Sequence, residues 1–108
     1  MKVQIPEVIT SYFEASNADD IDALVACFSI DASVTDENKT HHGTEEIKAW
    51  AEDVRRKFQF KTEMLRSAER PNGAVVTAKL SGNFPGSPVD LDFTFILDRN
   101  EISSLEIG

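Results

Sequence analysis

The chain has 108 residues, which is one domain around one core. Its 19 acidic and 11 basic residues leave a net charge of −8 and an isoelectric point near 4.6, which argues against nucleic-acid and anionic-membrane partners, since both demand a basic footprint. Hydrophobic residues at 41% and charged residues at 28% are those of a soluble globular domain; no run approaches the roughly 18 apolar residues of a membrane span and the N-terminus lacks a signal-peptide apolar core, so a cytoplasmic location is expected.

The first predicted helix runs from about Pro6 to Asn17. Proline suits a first helical position, because its missing N–H would be unpaired there anyway. Ile5, Val8, Ile9, Tyr12 and Phe13 recur at the spacing of one helical face. A second helix starts at Asp19 or Asp20, either of which accepts bonds from free N–H groups, and its apolar face is Ile21, Leu24, Val25 and Phe28. The single cysteine, Cys27, excludes an internal disulfide and reads as a small core hydrophobe. "ASVTD" is a short strand, and a second is expected around Lys39 to His42.

A third helix starts after Gly43, with Thr44 as N-cap and Glu45 and Glu46 on its positive end. Its buried stripe is Ile47, Trp50, Ala51, Val54 and Phe58, and the triplet Arg55-Arg56-Lys57 offsets the dipole at its far end. The period then changes from that of helices to that of strands. Phe60, Thr62 and Met64 alternate with Lys61, Glu63 and Leu65, Pro71-Asn72-Gly73 turns the chain into "GAVVTAKLSGNF", and "PGSP" breaks it again before "VDLDFTFIL". "DRNE" turns it a last time into "ISSLEI". Helices first and strands later predict α+β with an antiparallel sheet, ordered ααβ(β)αββββ. Three helices on one face of a curved sheet make a cone whose open end is a pocket for a small hydrophobic molecule, and the uncovered outer face suits a second copy in a homodimer.

The residues "YFEASNADDIDALVACFSIDASVTD", then "HHGTEEIKAW", then "FTFILDRNEISSLEI" resemble the NTF2-like (cystatin-like) superfamily over nearly the whole chain. Within it, the sequence is most similar to the SnoaL-like proteins and the steroid Δ-isomerases. The pattern is specific for fold and much less so for function, since the superfamily holds isomerases, cyclases, dehydratases, epoxide hydrolases and binding proteins. The resemblance to the isomerases implies three catalytic positions: Asp36 as the general base, Tyr12 as an oxyanion donor, and Asp92 as a neutral acid sharing that oxyanion, an arrangement whose logic is a standard worked case of pKa tuning. Phe13, Phe28, Trp50, Phe58, Phe60 and His42 are the expected pocket lining. The pattern departs at Glu37, where the isomerases commonly carry proline, and the sequence stops at Gly108, so no later aromatic residue is expected in the pocket.

Each of these residues also has a plainer role. Tyr12 completes an apolar stripe, and Asp36 with Asn38 suits a turn. If Leu91, Phe93, Phe95 and Leu97 face the cone, Asp90 and Asp92 face solvent or a subunit; a one-residue slip decides between the faces. His41 and His42 are neighbours in a strand, pointing to opposite faces, so no metal site is expected from them, and no cofactor motif occurs. Epoxide hydrolysis would want an Asp-Arg-Asp arrangement, and the only arginine in the expected pocket-forming strands is Arg66. Three readings remain open: an isomerase or cyclase of SnoaL-like type, a non-catalytic ligand-binding dimer, and a protein-interaction module with a filled cone and a large apolar outer sheet.

Overall fold

Helix α1 (Glu7–Asn17) follows Pro6, which caps it in an extended conformation and accepts bonds from Ile9 and Thr10 N–H; the proline therefore stands just before the first turn rather than within it. Helix α2 (Ile21–Ala26) is capped by Asp20, whose Oδ1 accepts from the Ala23 N–H at 3.1 Å. Helix α3 (Thr44–Lys57) begins one residue before the expected first turn, so Gly43 rather than Thr44 is the N-cap. Gly43 has φ +87°, a left-handed backbone that favours glycine, and Glu46 Oε1 accepts from the His42 N–H at 2.7 Å to close that end. The computed structural model describes residues 5–108; residues 1–4, part of the N-terminal stretch in which no leader pattern is read, lie outside it.

The strands are β1 (Phe28–Asp36), β2 (Lys39–His42), β3 (Phe60–Arg70), β4 (Gly73–Gly82), β5 (Val89–Asp98) and β6 (Glu101–Ile107), ordered β2-β1-β6-β5-β4-β3 in one sheet. The predicted order of elements holds. The sheet is mixed, however: β1 and β6 run parallel and every other neighbouring pair is antiparallel. The chain between β1 and β6 passes through α3 and four strands, and that length is what a parallel pairing needs.

The inner face carries Ala32 and Val34 from β1, Ala74, Val76 and Ala78 from β4, Phe93 and Phe95 from β5, and Ile102 and Leu105 from β6, all buried. They pack against Ile9, Tyr12, Phe13, Leu24, Ile47, Trp50 and Ala51 of the helices. Small residues on β4 opposite phenylalanines on β5 let the aromatic rings reach α1: Phe13 meets Phe93 edge-to-face at 5.2 Å and Tyr12 meets Phe95 at 5.5 Å. Register shifts at Met64/Arg66, Ile96/Leu97 and Phe28/Ser33 bend the sheet around these helices. The helices cover part of the concave face and leave the rest as a hollow.

Candidate functional site

The hollow is a cavity of about 600 Å³ bounded by α1, α2, α3, the ends of β1 and β6, the inner faces of β3, β4 and β5, and the segment Phe84–Gly86 between β4 and β5. This is within the size range of small-molecule sites. Its wall is mostly hydrocarbon: Ile21, Leu24, Val54, Leu80, Val89, Leu91 and Ile107 among the aliphatics, and Tyr12, Trp50, Phe58, Phe60, Phe84 and Phe93 among the aromatics.

Asp36 ends β1 and lines this cavity. It is also a turn residue, as its plainer reading has it, pairing with Lys39 across a two-residue hairpin in which Glu37 (φ +53°) and Asn38 (φ +65°) are both left-handed. Proline cannot adopt that positive φ, so the departure at Glu37 follows from this turn. Asp36 Oδ2 accepts a hydrogen bond from Trp50 Nε1–H at 3.1 Å, and among the described residues the carboxylate has no other side-chain partner.

Tyr12 is 4% exposed and borders the same cavity. Its hydroxyl has no protein hydrogen-bond partner among the described residues. Burial pushes its pKa far above the ordinary tyrosine value, with the Asp36 charge adding to the effect and Arg55 opposing it, so the phenol stays a neutral donor.

The structure does not bring Asp92 into this site. Phe93 and Phe95 face inward, and the alternation of β5 turns Asp92 to the outer face, where it is exposed and its Oδ1 accepts from Thr77 Oγ1 at 2.7 Å. Trp50, Phe58 and Phe60 line the cavity as expected. Phe13 and Phe28 do not: both are core, held edge-to-face against Tyr12. His42 is exposed and offers only its backbone N–H to Glu46, while the half-buried His41 lies 6.1 Å from the Trp50 ring. Among the described residues no three potential metal ligands gather.

Arg66 is exposed on β3, and the arginine that does line the cavity is Arg55, read from sequence only as a helix-end cation. Its Nε pairs with Asp19 at 3.2 Å, one terminal nitrogen donates to the Phe60 carbonyl at 2.8 Å, the other donates to the Ser16 carbonyl and Oγ, and its guanidinium sits 4.3 Å over the Phe60 ring. The available signal was its place four residues after Ala51, on the buried stripe of α3. Phe84, read from sequence as the end of a strand, and Pro85, read only as part of a break, also line the mouth, with Phe84 edge-to-face to Phe58 at 6.1 Å.

The Asp36 carboxylate, held by an indole N–H and facing a mostly apolar hollow that also contains a neutral phenol, can accept a proton from a carbon acid or bind a polar group of an otherwise greasy ligand. Comparison with known proteins identifies the fold and the family. The family model described as a SnoaL-like domain matches residues 9–101. A candidate polyketide cyclase from Sinorhizobium meliloti is 38% identical, with a TM-score of 0.94 over 96% of this chain and 95% of its own. A protein of ketosteroid isomerase-like fold from Catenulispora acidiphila, solved in complex with trimethylamine, is 19% identical, with a TM-score of 0.85 over 97% and 86% of the two chains. A Mycobacterium tuberculosis protein in complex with estradiol-17beta-hemisuccinate is 15% identical, with a TM-score of 0.81 over 96% and 93%. No functionally curated protein matches in sequence. With the NTF2-like, ketosteroid isomerase-like architecture shared throughout and the family pattern spanning most of its length, the chain belongs to the SnoaL-like domain family.

Proposed function

We propose that the protein acts on a small apolar carbonyl compound by proton transfer at the carbon next to the carbonyl, as an isomerase or cyclase. Asp36 is the base, and the Tyr12 hydroxyl donates to the oxygen on which charge develops. The observation that carries this reading is that both groups line one mostly apolar cavity. Trp50 is the positioning residue that holds the Asp36 carboxylate. Similarity to a candidate polyketide cyclase, and steroid and amine complexes of two more distant proteins of the same fold, support a small-molecule ligand.

The test is exchange of α-protons for deuterium in small ketones and 3-keto steroids, followed by NMR. Asp36→Asn is expected to slow exchange by about 10²–10⁴-fold and Tyr12→Phe by about 10²–10³-fold. Equal rates in native protein and Asp36→Asn would remove Asp36 as the base. The outward position of Asp92 leaves a single side-chain donor for the oxyanion and so favours a second reading, a binding module without chemistry. Binding of the same ketones with no exchange above buffer would establish it.

We also propose that the protein works as a homodimer in the cytoplasm, joined through the outer sheet face, where Ile96 is 45% exposed. Light scattering on a sizing column is expected to give twice the 12.0 kDa chain mass, and Ile96→Asp to shift it toward the monomer. A native mass of one chain would dismiss the dimer.

A further inference from the structure

We infer that the cavity is selective for a lipophilic cation, a protonated amine on an apolar body, whose head sits between the Asp36 carboxylate and the Tyr12 oxygen. This rests on the cavity being a ligand site and stands whether or not Asp36 acts as a base. Among the described residues three charged side chains line the cavity: Asp36, Glu37 and Arg55. The one cation is already spent, because Asp19 neutralises it at 3.2 Å and its terminal nitrogens are engaged by the Phe60 and Ser16 carbonyls. What remains facing the hollow is two negative charges with no cation to offset them. Asp36 receives one hydrogen bond, from an uncharged indole. Tyr12 is more than nine-tenths buried and lines the cavity, and its hydroxyl has no hydrogen-bond partner among the described residues, so its oxygen is free to accept from an ammonium N–H. The aromatic wall adds to the preference, since ring faces attract cations. A carboxylate placed in the same hollow meets Asp36 in a low-dielectric setting and gains nothing from Arg55. A bound amine therefore blocks Asp36 and competes with a carbonyl substrate.

The experiment uses displacement of the neutral fluorophore N-phenyl-1-naphthylamine near pH 7 by three molecules of one shape: 4-phenylbutylamine, 4-phenyl-1-butanol and 4-phenylbutanoate. The amine is expected to displace the dye at a concentration at least about tenfold below the carboxylate, with the alcohol between them. Most of that preference should persist at about 0.5 M salt, where fields of exposed charges are screened within a few ångströms. It should collapse in Asp36→Asn, which keeps an acceptor for Trp50, and shrink less in Glu37→Gln, on the exposed turn. Equal displacement by amine and carboxylate, or the reverse order, overturns the inference, and so does a preference that vanishes in salt or survives unchanged in Asp36→Asn, since either assigns it to the overall net charge of −8. Failure of the dye to bind removes the cavity as a ligand site and this inference with it. Intact amine preference with no α-proton exchange would sink only the proton-transfer reading.

Discussion

Tyr12 is the only tyrosine in the chain, so the phenolate absorbance near 295 nm reports on it alone. Its pKa is raised by burial first and by Asp36 second. The folded protein therefore holds this proton more tightly than the unfolded chain does. The stability contributed by the neutral phenol is complete below the unfolded value of about 10 and is lost as pH rises from there toward the folded value. An alkaline titration is expected to show no absorbance rise through pH 10 to 11 while the protein stays folded, then a rise together with unfolding. Tyr12→Phe should unfold at higher pH. Ionisation near pH 10 with the circular dichroism unchanged would contradict the buried placement of the hydroxyl. Trp50, the only tryptophan, is likewise a private reporter on the site, because its N–H is bonded to Asp36.

At the scale of elements, the cavity depends on how the end of α1 is tied to the start of β3. Asn17 does this with three bonds: its amide donates to the Thr62 carbonyl at 2.9 Å, and its Oδ1 accepts from the Thr62 N–H at 2.8 Å and from Thr62 Oγ1 at 3.0 Å. Lys61 Nζ reaches the Asn17 carbonyl at 2.5 Å on the exposed side. Asn17→Ala leaves a strand N–H and a carbonyl without partners and is expected to cost about 1–3 kcal/mol in urea unfolding. Loss of ketone binding greater than loss of stability would place Asn17 as a shaper of the pocket mouth. The β3–β4 turn is constrained from the other side: a Cβ on Gly73 would run into the Phe95 carbonyl, so only glycine fits where β4 passes β5. Asn17 was read only as a helix end, because its partners lie 45 residues away.

At the scale of the whole molecule, one core supports both the helices and the cavity. Phe95 is 1% exposed and touches Tyr12, Phe13 and Phe93. Phe95→Ala is expected to cost about 3–5 kcal/mol in chemical unfolding, a large share of the stability of a domain this size. It should also loosen Tyr12, so ligand affinity falls in the variant even where it remains folded. A cost below about 1 kcal/mol would mean that the aromatic cluster relaxes into the space and is not what sets the Tyr12 ring. The family pattern covers residues 9–101, and that span contains Tyr12, Phe13, Phe93 and Phe95.

The order of helices and strands and the apolar stripes of α1 and α3 were legible in the residues, because 3.6-residue and two-residue periodicities are local properties of the chain. The two side chains Asp36 and Tyr12 were singled out by the family resemblance, while periodicity by itself read them as a turn residue and part of an apolar stripe. Three things were decided only by the fold. Asp92 went to the outer face because Phe93 and Phe95 had the stronger claim on the interior, and a strand offers no third direction. Arg55 became part of the cavity wall because its partners, Ser16, Asp19 and Phe60, come together only when α1, α3 and β3 meet. The parallel β1–β6 pair, which attaches β1 and β2 to the rest of the open sheet, joins residues as far apart as Phe28 and Ile102. Periodicity says which side of an element is apolar; which elements face one another across a cavity is set by contacts distant in sequence, and those have no local signature.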